Sequence, residues 1–242
     1  MKIICTGDSL TRAQVSADYV ALLRHRLDDD MVIGSGVNHE LSAGLLARLD
    51  GVVAQDPDVV TVLIGTNDLR FALSDKDADS LRRRWKLTED PTAAGYGENL
   101  AAIVTRLRTR TRARVALLSP PVIGEDLDSA PVRKAGEYSR IVRDVAAEHD
   151  VTYLPLHERM VALLRASGRT PGTAFRPGVL LAATAATQHF VLRRGLDAIS
   201  RSRGLQLTTD TIHLNSQGAR MIADLVEGFV RDESAVPGPD RR

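Results

Sequence analysis

Sulfur, aromatic rings and long apolar runs are all scarce in this chain of 242 residues. Its one cysteine, Cys5, excludes an internal disulfide framework. Placed inside the first strand pattern, that thiol reads as a small apolar side chain and not as a nucleophile. Aromatic residues make up 4% of the chain, with one tryptophan, and the formal net charge is +1. The basic residues are mostly arginines, scattered among matching acids with no basic stripe interleaved with aromatics, so a nucleic-acid partner is not expected. No apolar stretch approaches membrane-spanning length and no basic-then-apolar leader precedes the first strand. The expectation is therefore no stable membrane insertion and a cytoplasmic location. No His, Cys and carboxylate cluster has metal-ligand spacing, and the first strand is not followed by a glycine-rich phosphate loop. Neither a metal nor another cofactor is expected.

What the chain does have is alternation. Strand-sized apolar runs at Lys2–Cys5, Met31–Ile33, Val59–Ile64, Val115–Leu118 and Val151–Leu154 are separated by helical patterns. The helical stretches are Asp18–Leu27, Leu41–Val53, Glu98–Arg108, Gly136–Glu148, Leu156–Arg165 and Ser216–Arg231. Five runs separated by helices predict right-handed crossovers and an α/β fold, with a parallel sheet covered on both faces. The length suits one domain over residues 1–232, with a flexible tail over 233–242. Two stretches break the pattern. Arg70–Tyr96 is polar and long for a connection, which usually marks function or disorder. Gly168–Gly204 opens on two Pro-Gly turns and reads as apolar helix over Val179–Leu192. That helix is expected to be an extra packing layer, or alternatively an acyl-accommodating wall.

The chemistry sits at strand ends. Gly7 and Asp8 force a turn after the first strand, which leaves the Ser9 hydroxyl at the carboxyl edge of the sheet, where open α/β sheets bind ligands. A serine needs a base, and the base needs an orienting group. His213 is the one histidine of six with an aspartate three residues before it, in Asp210-Thr211-Ile212-His213. Residues three apart face the same way in a turn, so the Asp210 carboxylate can reach the imidazole. After the third strand comes Gly65-Thr66-Asn67-Asp68, in which Gly65 permits an unusual backbone angle and Asn67 offers an amide NH2. If the strand order is 2-1-3-4-5, strands one and three are neighbours at the reversal point and Ser9 and Asn67 emerge side by side.

These blocks, taken together and in order, make the chain resemble the GDSL, or SGNH, family of serine hydrolases. Gly7-Asp8-Ser9-Leu10, Gly65-Thr66-Asn67-Asp68 and Asp210-Thr211-Ile212-His213 match three of the four family blocks. The resemblance implies a three-layer α/β/α, flavodoxin-like fold with a five-stranded parallel sheet. It also implies an acyl-ester hydrolase with Ser9 as nucleophile, His213 as base and Asp210 as orienter. Ser9 N–H and the Asn67 amide would serve as oxyanion donors, with Gly7, Asp8, Gly65 and Asp68 in support. The second block departs from the family. Gly36-Val37-Asn38-His39-Glu40-Leu41 puts His39 where a glycine usually donates its N–H, and a gapped reading puts Ala43 or Gly44 there. If that position needs positive φ, histidine is tolerated better than a β-branched residue. The implied partner is a small acyl ester, of short to medium chain or lysophospholipid-like. Alternatives are a carbohydrate O-deacetylase, or a non-catalytic relative disabled by the missing glycine. Oligomeric state is left open.

Overall fold

The computed structural model describes residues 1–232; the tail expected over 233–242 lies outside the described residues. The chain opens on β1 (Lys2–Gly7), whose residues after Lys2 are all buried. A single turn, α1 (Ser9–Arg12), follows at once, and then α2 (Tyr19–Arg26), whose first turn is capped by Asp18 Oδ1 on Ala21 N–H at 2.9 Å. β2 (Met31–Gly36) runs three residues beyond its apolar start, through Gly34-Ser35-Gly36. The helical pattern at 41–53 is two pieces, α3 (Ser42–Ala47) and α4 (Asp50–Val53). The break falls at Arg48, whose guanidinium is held by Glu40, Ser35 and the Gly7 carbonyl.

β3 (Val59–Leu63) is buried throughout and leads into α5 (Thr66–Leu73), α6 (Asp75–Trp85) and α7 (Ala93–Arg110). The expectation of a long connection over 70–96 is thereby corrected, because most of that stretch is helical. Its polar composition hid a helix that buries one narrow face. Ala78 and Leu81 of α6 pack with Leu41 and Phe71 in a small satellite core, Asp77 is buried beside them, and Asp75, Asp79, Arg83 and Arg84 face outward. Then come β4 (Arg114–Leu118), α8 (Ala130–Glu148), β5 (Thr152–Leu154) and α9 (Leu156–Ser167). The remaining elements are α10 (Leu180–Ala186), a π-helical turn (Thr187–Val191), α11 (Leu196–Ser202) and α12 (Ser216–Arg231). Asn215 caps α12, its Oδ1 accepting from Gln217 N–H at 2.9 Å and Gly218 N–H at 3.1 Å.

The five strands form one all-parallel sheet in the order β2-β1-β3-β4-β5. Alternate side chains serve opposite layers, as the two-residue period of a strand requires. Ile3, Cys5, Val59 and Leu63 pack against α2, α9 and α12. Ile4, Val60, Val62 and Leu117 pack against α3, α4, α7 and α8. The result is an α/β/α sandwich. In register, Gly7 lies beside Gly36 on one side and Leu63 on the other, so the loops after β2, β1 and β3 leave the sheet at one level.

One helix departs from expectation in its burial. Over 179–192 only Ala185 is buried, and Val179, Leu180, Phe190, Val191 and Leu192 are exposed. The segment is therefore not an internal packing layer, because its apolar side chains face outward.

Candidate active site

Two glycines are needed to bring backbone close at this sheet edge. A Cβ on Gly7 would lie 2.2 Å from the Leu63 carbonyl oxygen, so any side chain would push β1 away from β3. Gly65 has φ of +118°, and a Cβ there would meet the Tyr96 hydroxyl at 2.5 Å. That hydroxyl instead donates to the Ile64 carbonyl at 2.9 Å, closing the turn that starts α5.

Asp8 caps α1, with Oδ1 accepting from Leu10 N–H at 3.0 Å, and it is fully buried. Ser9 follows at the helix start, half-buried, and among the described residues its hydroxyl makes no hydrogen bond. Burial pushes the Asp8 carboxyl up to about 7, against the opposing pull of the Leu10 hydrogen bond and the His213 charge.

Asn67 stands on the first turn of α5, buried, with one Nδ2 hydrogen firmly engaged and the other only loosely held. Nδ2 donates to the Glu40 carbonyl at 3.0 Å and lies 3.4 Å from Asp8 Oδ2, while Oδ1 accepts from Arg70 Nη1 at 3.3 Å. Because a guanidinium can only donate, Arg70 fixes which end of the amide faces Asp8. Arg70 is itself held by a buried ion pair with Asp77 at 2.7 Å. Asp68 points elsewhere and ties α5 to α3. Its carboxylate accepts from the Ser42 hydroxyl at 2.6 Å and from Ser42 N–H at 3.1 Å, and burial raises it to about 6.

His39 occupies the left-handed region at φ +61°, and Gly44 lies within α3. The turn around His39 is pinned on every side. Trp85 Nε1 donates to the His39 carbonyl at 2.7 Å, Asn67 holds the next carbonyl, and Arg48 grips the Glu40 carboxylate at 2.6–2.7 Å. Burial together with the Arg70, Arg84 and His213 charges lowers the His39 imidazole to about 4, so it is neutral at physiological pH.

The Asp210-to-His213 turn is built to hold one imidazole. Asp210 Oδ1 accepts from Ile212 N–H at 3.0 Å and His213 N–H at 2.7 Å, and Oδ2 lies 2.7 Å from His213 Nδ1. Desolvation pushes the Asp210 carboxyl up, but the His213 charge and these hydrogen bonds outweigh it, and the net position is below the usual carboxylate range. Thr211 has φ of +75°, costly for a β-branched residue, and its carbonyl is held by Gly124 N–H at 2.7 Å. Thr208 and Leu214 pair in a short antiparallel bridge, and Leu214 is bonded to Ser16 and Ala17, just beyond α1. The His213 loop is thus fastened to the segment that carries Ser9. His213 is close enough for its charge to act on both Asp8 and His39.

Sequence reading missed the clamp on this loop. Glu125 is buried, and its carboxylate accepts from Gln206, Leu207 and Thr208 N–H at 2.6–2.9 Å and from the Thr208 hydroxyl at 2.8 Å. The one available signal was position. Glu125 follows a Pro-Pro-Val-Ile-Gly stretch beyond β4, at the edge that carries Ser9 and Asn67. Arg70 and Asp77 were missed for the same reason, since nothing local marks two charged residues as a buried pair.

Comparison with known proteins gives the family. Residues 5–221 match the model of the GDSL-like lipase/acylhydrolase family. The chain is 28% identical over 193 residues to the esterase TesA of Pseudomonas aeruginosa, covering 74% of this chain and 83% of that protein. In structure it is similar to an acetyl xylan esterase, with TM-score 0.69 and 22% identity over 95% of this chain and 100% of the other. It is also similar to a lipase/acylhydrolase from Enterococcus faecalis, with TM-score 0.59 and 18% identity, covering 95% of this chain and 94% of that one. A match to the family model that runs from the first strand into the last helix assigns this ester hydrolase to the GDSL-like lipase/acylhydrolase family.

Proposed function

We propose that this enzyme hydrolyses acyl esters by a two-step acyl transfer through Ser9, His213 and Asp210, within one catalytic domain over residues 1–232. The observation that carries the reading is the Asp210–His213 pair. A carboxylate on Nδ1 at 2.7 Å leaves Nε2 as the ring nitrogen with a free lone pair. Nε2 takes the Ser9 proton as the hydroxyl attacks the ester carbonyl, and Asp210 stabilises the imidazolium that forms. The Ser9 and His39 N–H groups and the Asn67 amide donate to the oxyanion. His39 contributes its backbone, and its neutral ring narrows the acyl side of the site. His213 then protonates the departing alcohol, and water repeats the cycle on the acyl-enzyme. Asp8 and Gly7 support the nucleophile turn, as Gly65 and Asp68 support that of Asn67.

The substrates in this reading are esters of short to medium acyl chain or lysophospholipid-like esters, met in the cytoplasm. No helix among the described residues is long and apolar enough to cross a membrane. A second reading, hydrolysis of sugar O-acetyl groups, draws on the likeness to acetyl xylan esterases. Against it stands the scarcity of aromatic platforms, at 4% of residues. The test replaces Ser9→Ala and follows p-nitrophenyl esters of rising chain length alongside acetylated xylo-oligosaccharides. The expected result is a loss on the order of 10⁶ in kcat and of fluorophosphonate labelling at residue 9. Turnover that survives the substitution removes Ser9 as nucleophile.

A further inference from the structure

We infer that the outward-facing apolar ridge over 179–192 is a docking surface for a lipid bilayer with anionic head groups, and that it presents ester substrate to the adjoining site. This rests on the esterase reading and goes beyond it by naming the physical state in which substrate arrives. Seven large hydrophobic side chains are exposed among the described residues, and five of them lie in this one ridge. Leu180 and Val191 keep 69% and 70% of their surface open. Val179 and Leu180 at one end of the segment and Phe190, Val191 and Leu192 at the other concentrate exposed apolar surface on one short stretch, and such concentrations mark interaction sites.

Charge selects the partner. From Arg159 to Leu196 the chain contains no Asp or Glu, while Arg176, Arg193 and Arg194 flank the ridge at its two ends. Arg176 and Arg193 are exposed. Apolar side chains on an acid-free stretch of chain flanked by arginines match the headgroup layer of an anionic membrane, with the rings and methyls in the acyl boundary and the guanidiniums at the phosphates. A protein partner of ordinary mixed charge would not require this one-sided charge.

Position joins the ridge to the chemistry on two sides. At its start Gly178 N–H donates to Asp77 Oδ1 at 3.0 Å, and the same carboxylate holds Arg70, which holds the Asn67 amide. On the other side Arg203 donates to the Leu181 carbonyl at 3.1 Å, the Thr184 hydroxyl at 2.8 Å and the Thr209 carbonyl at 2.8 Å. Thr209 opens the turn that carries Asp210 and His213. The ridge is thus fastened both to the Asn67 side and to the His213 side of the site.

Flotation of the full chain with vesicles tests this without any turnover. Wild type is expected to float with phosphatidylcholine vesicles containing phosphatidylglycerol, and less with phosphatidylcholine alone. Phe190→Ser with Leu192→Ser is expected to weaken partitioning into both by about tenfold or more. Arg176→Glu with Arg193→Glu is expected to remove only the gain from anionic lipid. Both variants keep their rate on a soluble short-chain ester within about twofold, since neither pair touches the catalytic groups. Wild type that stays unbound at every composition overturns the inference, as does equal flotation of the serine variant. Wild-type dimers that become monomers in the serine variant, without vesicle binding, assign the ridge to a second copy and overturn it too. Loss of esterase activity in wild type would count against the catalytic reading alone, because flotation needs no turnover.

Discussion

The two loops that frame the site and the ridge beside it show opposite uses of the same chain. In the 206–215 loop nearly every backbone group is committed. Glu125 accepts four hydrogen bonds, Asp210 three, and Leu214 is bonded to Ser16 and Ala17. The 179–192 ridge is held mainly by its own helical bonds and by Arg203, and only Ala185 is buried. A triad must hold an imidazole to within a fraction of an ångström, and that precision comes from packing and from satisfied donors. A surface that meets a fluid partner needs no such precision, so it tolerates exposed leucine and phenylalanine. Order is concentrated in the loop that carries the proposed base.

That contrast predicts graded costs. Asp210→Asn should lower kcat by about 10⁴, because the amide no longer stabilises the imidazolium or selects its tautomer. Pre-steady-state kinetics on a p-nitrophenyl ester would read this in acylation, and a loss below tenfold would dissociate Asp210 from the base. Glu125→Ala should destabilise the fold by about 2–4 kcal/mol, since it leaves four donors of the 206–208 segment without their acceptor. Urea unfolding of that variant beside Leu180→Ser, expected to change stability by less than about 0.5 kcal/mol, measures the difference between the two regions directly. Equal midpoints would erase it.

A smaller effect concerns pH. Burial lifts the Asp8 carboxyl from an ordinary 3.8 to about 7 in the fold. Between those values the folded chain holds the extra proton, so this group's contribution to stability is present at low pH and is lost as pH rises towards 7. Asp8→Asn should therefore raise stability at pH 8 by about 1–3 kcal/mol and flatten its fall between pH 4 and 7. Asp68, raised to about 6, adds a fall of the same sign, so the slope in the variant is reduced and not abolished. Thermal unfolding across that range checks it, and an unchanged slope would mean Asp8 is ionised in the fold throughout.

Much of the candidate site was legible because its signals are local. A serine directly after a strand, an amide directly after another strand, and an aspartate three residues before a histidine need no long-range information. Alternation of strand and helix implied a parallel sheet, and the order β2-β1-β3-β4-β5 is the one that the flavodoxin-like resemblance implied. The second block read as a departure from the family pattern with His39, Ala43 or Gly44 as candidates, and His39 has φ of +61°, a backbone form that favours glycine. Other features were not legible. The charged composition of 75–85 concealed a helix, because four residues of satellite core suffice to bury its one face. The apolar composition of 179–192 suggested burial, yet composition does not say whether a partner layer exists.

The order of elements and the residue types that arrive at the reactive edge were determined by the sequence alone, since strand and helix periods and turn chemistry act over a few residues. Only the tertiary structure decided which charges are buried and paired, as with Arg70, Asp77 and Glu125, and which apolar side chains are left facing water. Desolvation is the physical reason. Its cost depends on everything packed within a few ångströms of a group, and residues distant in the chain supply most of that surrounding.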